Sequence, residues 1–188
     1  VASLGVQVHG GMGFIEETGA AQHYRDARIA AIYEGTNGIQ AIDLVTRKIT
    51  LNGGATVKAF IAELRDITAR VQASNDPAFG ATALRLTESI DALERVTGWL
   101  LARLSSDPRA ALAGATPYLR LFANAAGGAL LANEALAAIR LANGNSADRI
   151  AVARFFAENI AVQSGGLEMT VTEASDSVIT APLPGEAA

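Results

Sequence analysis

The chain has 188 residues, half of them apolar, with a net charge of −4 and no cysteine. That length suffices for one compact core or two small ones. Absence of cysteine excludes a disulfide framework, a thiolate nucleophile and any Cys-based metal site, and it fits a reducing compartment such as the cytoplasm. Acids and bases are interspersed without a basic run, so the phosphate-neutralising footprint of a nucleic-acid binder is missing.

In chain order, Val1 to His9 reads as the last turns of a helix, and Gly10-Gly11 ends it by supplying left-handed backbone. A loop follows, then a short helix from Thr18-Gly19 and Ala20 to about Ile29. The segment up to Gly35 reads as a turn presenting Glu34, with Thr36 or Asn37 as the cap of a helix from Asn37 to about Leu51 carrying Ile39, Ile42, Val45 and Ile49. Glu34 thereby stands at the mouth of a helix N-terminus, where unpaired N–H groups favour an electron-rich or anionic ligand.

Asn52-Gly53-Gly54 is the clearest break, and a domain boundary is placed there, dividing the chain into 1–52 and 53–188. Val57, Phe60, Ile61, Leu64, Ile67 and Val71 recur at helical spacing, with Lys58, Glu63, Arg65, Asp66 and Arg70 on the other face. Asn75-Asp76-Pro77 stops that helix. Leu86, Ile90, Leu93, Val96, Leu100 and Leu104 mark a long second one, closed by Ser105-Ser106-Asp107-Pro108. Leu112 to Asn143 is alanine-rich, with Pro117 in its first turn after a break near Gly114 and Gly127-Gly128 allowing close approach of a neighbouring helix. Its most apolar part, Leu119 to Ala142, is interrupted by Asn124, Asn133, Glu134 and Arg140, so no membrane segment is expected. Asn143-Gly144-Asn145-Ser146 reads as a stop and cap. Ile150, Ala153, Phe156 and Ile160 give a further helix whose end is signalled by Gly165-Gly166, and Ser175 to Ala188 reads as an extended or disordered end. No stretch alternates apolar and polar with turns at hairpin spacing, so the fold class is all-α, a helical bundle.

Three motifs, in this order and spacing, carry a resemblance. Gln7-Val8-His9-Gly10-Gly11-Met12-Gly13-Phe14, Tyr24-Arg25-Asp26-Ala27-Arg28 and Ile32-Tyr33-Glu34-Gly35-Thr36 resemble the C-terminal motifs of the acyl-CoA dehydrogenases, flavoenzymes that desaturate acyl thioesters. Residues 1–52 then correspond to the end of that fold's C-terminal helical domain. Residues 53–188 resemble the extra C-terminal helical domain of a larger bacterial subgroup that includes enzymes acting on methylthiopropionyl-CoA and on fatty acyl-CoA. The sequence starts at Val1 without Met or a signal-like n-region and reads as the C-terminal piece of a longer polypeptide.

The resemblance implies FAD as cofactor, an acyl-CoA substrate, electron-transfer flavoprotein as electron acceptor, and a homodimer or higher homo-oligomer. Removal of a thioester α-proton needs a positioned base and stabilisation of the charge building on the carbonyl oxygen. The resemblance assigns the first task to Glu34 and the second to its backbone N–H together with a flavin hydroxyl. Tyr33 and Gly35 would line the thioester pocket, although a packing role for Tyr33 stays open. Gln7, Gly10 and Gly11 match residues that touch the adenosine part of FAD bound to the neighbouring subunit; an ordinary Gly-Gly helix stop is the alternative. Thr36 and Asn37 match residues near the flavin. Gly38 departs from the Gln of medium-chain members, leaving only a backbone contact there. Arg25, Asp26 and Arg28 are expected to form structural ion pairs.

His9 and His23, the only histidines, make poor grounds for a metal. His9-Gly10-Gly11 could suggest an esterase oxyanion hole, but no Gly-x-Ser-x-Gly elbow accompanies it. The chain by itself is expected to be inactive. Two alternatives remain open: another branch of the superfamily, such as an acyl-CoA oxidase or an AidB-like flavoprotein, and a non-catalytic helical oligomerisation module formed by residues 53–188.

Overall fold

The computed structural model describes residues 1–141 and 144–181. By their packing they form two units, Val1–Gln40 and Ala41–Ala188, and no strand occurs among the described residues.

The first unit contains α1 (Ala2–Val8), α2 (Gly11–Phe14), α3 (Ala20–Ile29) and the first turn of α4 (Asn37–Asp43). Gly10 does break α1, at φ +60°, but Gly11 opens the four-residue α2 rather than prolonging the stop. None of this unit's apolar side chains is buried among the described residues. Leu4, Val8, Met12 and Phe14 are between 57% and 84% exposed.

From Ala41 onward the pattern inverts. Ala41, Val45 and Ile49 are at most 1% exposed, one side of the helix buried at four-residue spacing. The packing division therefore falls earlier than the turn at Asn52-Gly53-Gly54. After α4 the helix widens into a π turn, Leu44–Lys48, with the Ile49 N–H donating to the Leu44 carbonyl at 3.0 Å. Asn52, Gly53 and Gly54 then take positive φ in succession, 52°, 63° and 89°, and this reverses the chain into α5 (Ala55–Ser74).

The bundle is built from α5, α6 (Thr82–Ser106), α7 (Pro108–Ala113), α8 (Ala115–Leu141), α9 (Ser146–Asn159) and α10 (Ser164–Glu173). The stripes predicted for α5 and α6 face the core: Leu64, Leu86, Ile90, Leu93, Val96 and Leu100 are at most 1% exposed. Asp76 and Asp107 each accept a backbone N–H at a proline-led helix start, from Ala78 at 2.9 Å and Ala110 at 3.1 Å. Pro117 occupies the first turn of α8, where it breaks no helical hydrogen bond.

By length and composition α8 could cross a membrane; here it packs against α5, α6, α9 and α10. Its small residues let those neighbours approach. A Cβ on Gly128 would lie 2.5 Å from Leu86 Cδ2 and 3.3 Å from Phe156 Cδ1, whereas one on Gly127 would meet only Phe156 Cζ at an ordinary 3.6 Å. Across the bundle, Arg95 grips Glu168 with two bonds of 2.7 Å, and Arg65 pairs with both Asp91 and Glu94.

Two expectations fail at the C-terminal end. Helix α9 stops at Asn159, and Gly165-Gly166, read as its end, lie instead in the first turn of α10. Both glycines stand in open space, so the helix tolerates them at the cost of propensity alone. Ser175–Ile179 is a short helix, α11, rather than an extended end. The remainder of that predicted end, 182–188, and Asn143 of the predicted stop lie outside the described residues.

Candidate active site

After α3 the chain leaves through overlapping tight turns. The Ile32 and Tyr33 N–H groups both donate to the Ile29 carbonyl, at 2.9 and 3.1 Å. Glu34 then takes φ +54° and Gly35 φ +92°. For a residue with a Cβ that conformation costs about 1–3 kcal/mol, and it persists only where surrounding contacts enforce it. At Gly35 the absence of a Cβ is a requirement: one built there would lie 3.2 Å from Gln40 Nε2 and 3.4 Å from Ile39 Cγ2, at a φ that other residues avoid. The loop closes where the Asn37 N–H donates to the Ala31 carbonyl at 3.3 Å.

Helix α4 starts without the predicted side-chain cap. The Thr36 carbonyl accepts the Gln40 N–H at 3.0 Å, while neither the Thr36 hydroxyl nor the Asn37 amide hydrogen-bonds to any described residue. Asn37 is already inside the helix, so both side chains are left exposed for other use.

Glu34 is exposed, and its carboxylate meets no cation or hydrogen-bond donor among the described residues. The N–H groups of Glu34, Gly35 and Thr36 likewise have no acceptor there. Carboxylate and amide donors therefore sit together on one exposed left-handed turn. Tyr33 beside them is 56% exposed and makes no hydrogen bond through its hydroxyl among the described residues. Gly38 lies in the first turn of α4, with only the Thr36 Oγ1 near a built Cβ, at 3.9 Å.

The other predicted residues gather at the junction of α1 and α2. Gln7 lines a cleft of about 760 Å³ with Phe14, Glu16, Tyr24 and Arg25, and its side-chain amide is unpaired among the described residues. Gly10 and Gly11 are exposed and face open space. His9 is occupied within α1, its Nδ1 2.8 Å from the Gly5 carbonyl. The predicted ion pairs take a different form. Arg25 reaches Glu16 at 3.4 Å and donates to Gln22 at 2.8 Å, and Gln22 in turn donates to Asp26 at 2.6 Å. Arg28 has no ion pair among the described residues.

One participant escaped sequence reasoning. Gln40 donates from Nε2 to the Glu34 carbonyl at 2.7 Å, across six residues. A Gln in the first full turn of the helix after a Glu-Gly corner was the available signal.

Residues 55–182 match the family model described as "Acetyl-CoA dehydrogenase C-terminal like", and residues 1–49 match "Acyl-CoA dehydrogenase, C-terminal domain". The 3-methylmercaptopropionyl-CoA dehydrogenase of Ruegeria pomeroyi is 46% identical over 188 residues, 97% of this chain and 32% of that protein. A butyryl-CoA dehydrogenase of Syntrophomonas wolfei is 30% identical over 186 residues, 94% of the chain and 30% of that protein. A broad-specificity linear acyl-CoA dehydrogenase of Mycobacterium tuberculosis is 33% identical over 169 residues, 82% of the chain and 27% of that protein. The chain spans about a third of the length of these relatives. The matched models between them cover nearly all of it, and the chain belongs to the acyl-CoA dehydrogenase family.

Proposed function

We propose that this chain carries the catalytic base and part of the flavin site of an FAD-dependent acyl-CoA dehydrogenase acting in the cytoplasm. Residues 1–52 form the end of its C-terminal helical domain, and 53–188 an additional helical domain. The observation that carries the reading is the exposed turn on which the Glu34 carboxylate and the Glu34 N–H both stand without a partner among the described residues.

A thioester seated there presents its carbonyl oxygen to the Glu34 N–H, and the carboxylate takes the α-proton as charge builds on that oxygen. Tyr33 and Gly35 flank the thioester, and substrate binding displaces water from the carboxylate. The residues present fit a flavin nucleotide: Gly10 and Gly11 offer an open backbone face, and the side chains of Gln7, Thr36 and Asn37 and the backbone N–H of Gly38 are polar groups without a partner among the described residues. A bound FAD would supply the acceptor for the hydride that leaves the β-carbon. Electrons then pass to an electron-transfer flavoprotein, and the enzyme is a homo-oligomer in which Gln7, Gly10 and Gly11 serve a neighbouring subunit's cofactor.

The test is anaerobic mixing of the FAD-loaded protein that carries this chain with a panel of acyl-CoA thioesters. Bleaching of the oxidised flavin by at least one of them, with slow reoxidation by oxygen, is expected. Failure of every thioester to bleach the flavin would overturn the reading, and rapid reoxidation by oxygen would assign the chain to an oxidase instead.

A further inference from the structure

We infer that Gln40 is a positioning residue for Glu34, tying the Glu34 carbonyl to helix α4 and so fixing the residue whose carboxylate and N–H the proposed chemistry uses; the inference rests on the function proposed above. Gly35 supplies the positive φ that the corner needs, but a glycine there also leaves Glu34 free to shift against helix α4. Gln40 removes that freedom. Its Nε2 donates to the Glu34 carbonyl at 2.7 Å, and it lies where a Gly35 Cβ would be crowded at 3.2 Å.

Gln40 is itself held, because its N–H donates to the Thr36 carbonyl at 3.0 Å in the opening turn of α4. The base of the loop is closed separately by the Asn37 to Ala31 bond. Removing the side-chain amide therefore leaves the loop closed but frees its corner. With its carbonyl untethered, Glu34 can shift as a whole residue and carry carboxylate and N–H away from a bound thioester, and a misplacement on the order of 1 Å can cost about a hundredfold in rate. Gln40 is exposed, and a hydrogen bond that competes with water contributes little to the fold.

These features separate a positioning role from a structural one. In the FAD-loaded protein, Gln40→Leu is expected to lower the limiting rate of flavin reduction by about ten- to a hundredfold. The substrate concentration at half-saturation should change by less than about threefold, and the thermal midpoint should hold within about 2 °C. Gln40→Lys, which restores a donor of similar reach, is expected to recover most of the rate. In the flavin-free protein, backbone order parameters at Glu34 and Gly35 should fall in Gln40→Leu and return towards wild type in Gln40→Lys.

Glu34→Gln, measured in parallel, separates the two claims. Loss of flavin reduction in Glu34→Gln with unchanged rate and order parameters in Gln40→Leu would overturn the positioning role alone. Unchanged reduction in Glu34→Gln would overturn both. A fall in rate that tracks a large fall in thermal midpoint, without rescue by Gln40→Lys, would show an ordinary structural contact.

Discussion

Glu34 holds a left-handed backbone although an Asn or Gly would hold it more cheaply, and only Asn52 and Asn75 do likewise among the described non-glycine residues. Retaining a carboxylate at such a position points to use, since strain at about 1–3 kcal/mol has to be offset by contacts elsewhere. A second residue-scale feature is Tyr118, fully buried, with its hydroxyl 2.8 Å from Thr97 Oγ1. Thr97 commits its own proton to the Leu93 carbonyl at 2.7 Å, so the tyrosine must be the donor in the pair. Burial pushes the Tyr118 phenol up to about 12. A folded-state value above the ordinary phenol range means that stability is intact below about pH 10 and is lost as pH rises towards 12. The loss at high pH should approach about 2–3 kcal/mol. Denaturant unfolding across that range should show the decline, and Tyr118→Phe should flatten it while costing about 1 kcal/mol at neutral pH.

Adjacent glycines in α8 make opposite predictions at the scale of an element. Gly127→Ala adds a methyl group at ordinary contact distance and removes a glycine from a helix interior, so a gain of about 0.5–1 kcal/mol is expected. Gly128→Val drives bulk into Leu86 and Phe156 and should destabilise by about 1–3 kcal/mol. Chemical denaturation midpoints of the two variants compare them directly. Elements of this bundle were legible in the sequence in proportion to their apolar periodicity. Helices α5 and α6 bury clear stripes, so their extents and inward faces could be read from spacing. Helix α10 buries only Ser164 and Val171, and α11 buries nothing, so neither left a periodic trace. Gly165-Gly166 misled because a glycine pair can stop a helix or stand exposed within one, and spacing does not distinguish the two. The Glu34 corner was legible through its Glu-Gly-Thr context. Gln40 was not, because its role is a bond to a backbone carbonyl that any residue could have presented.

At the scale of the whole molecule, the two units contrast in what they bury. The bundle has a core of its own, centred on Leu86, Ile90, Leu93, Leu100, Tyr118 and Leu121. Truncating Leu121 to Ala there should cost about 2–5 kcal/mol. The Val1–Gln40 unit, by contrast, displays Leu4, Val8, Met12 and Phe14. The role proposed for Glu34 is removal of the α-proton. It is tested most directly by incubating the FAD-loaded protein in D2O with an acyl-CoA thioester that lacks β-hydrogens, and following exchange at the α-carbon by mass spectrometry. Exchange is expected in the wild type and its loss, by at least a hundredfold, in Glu34→Gln; equal exchange in both would rule out Glu34 as the base.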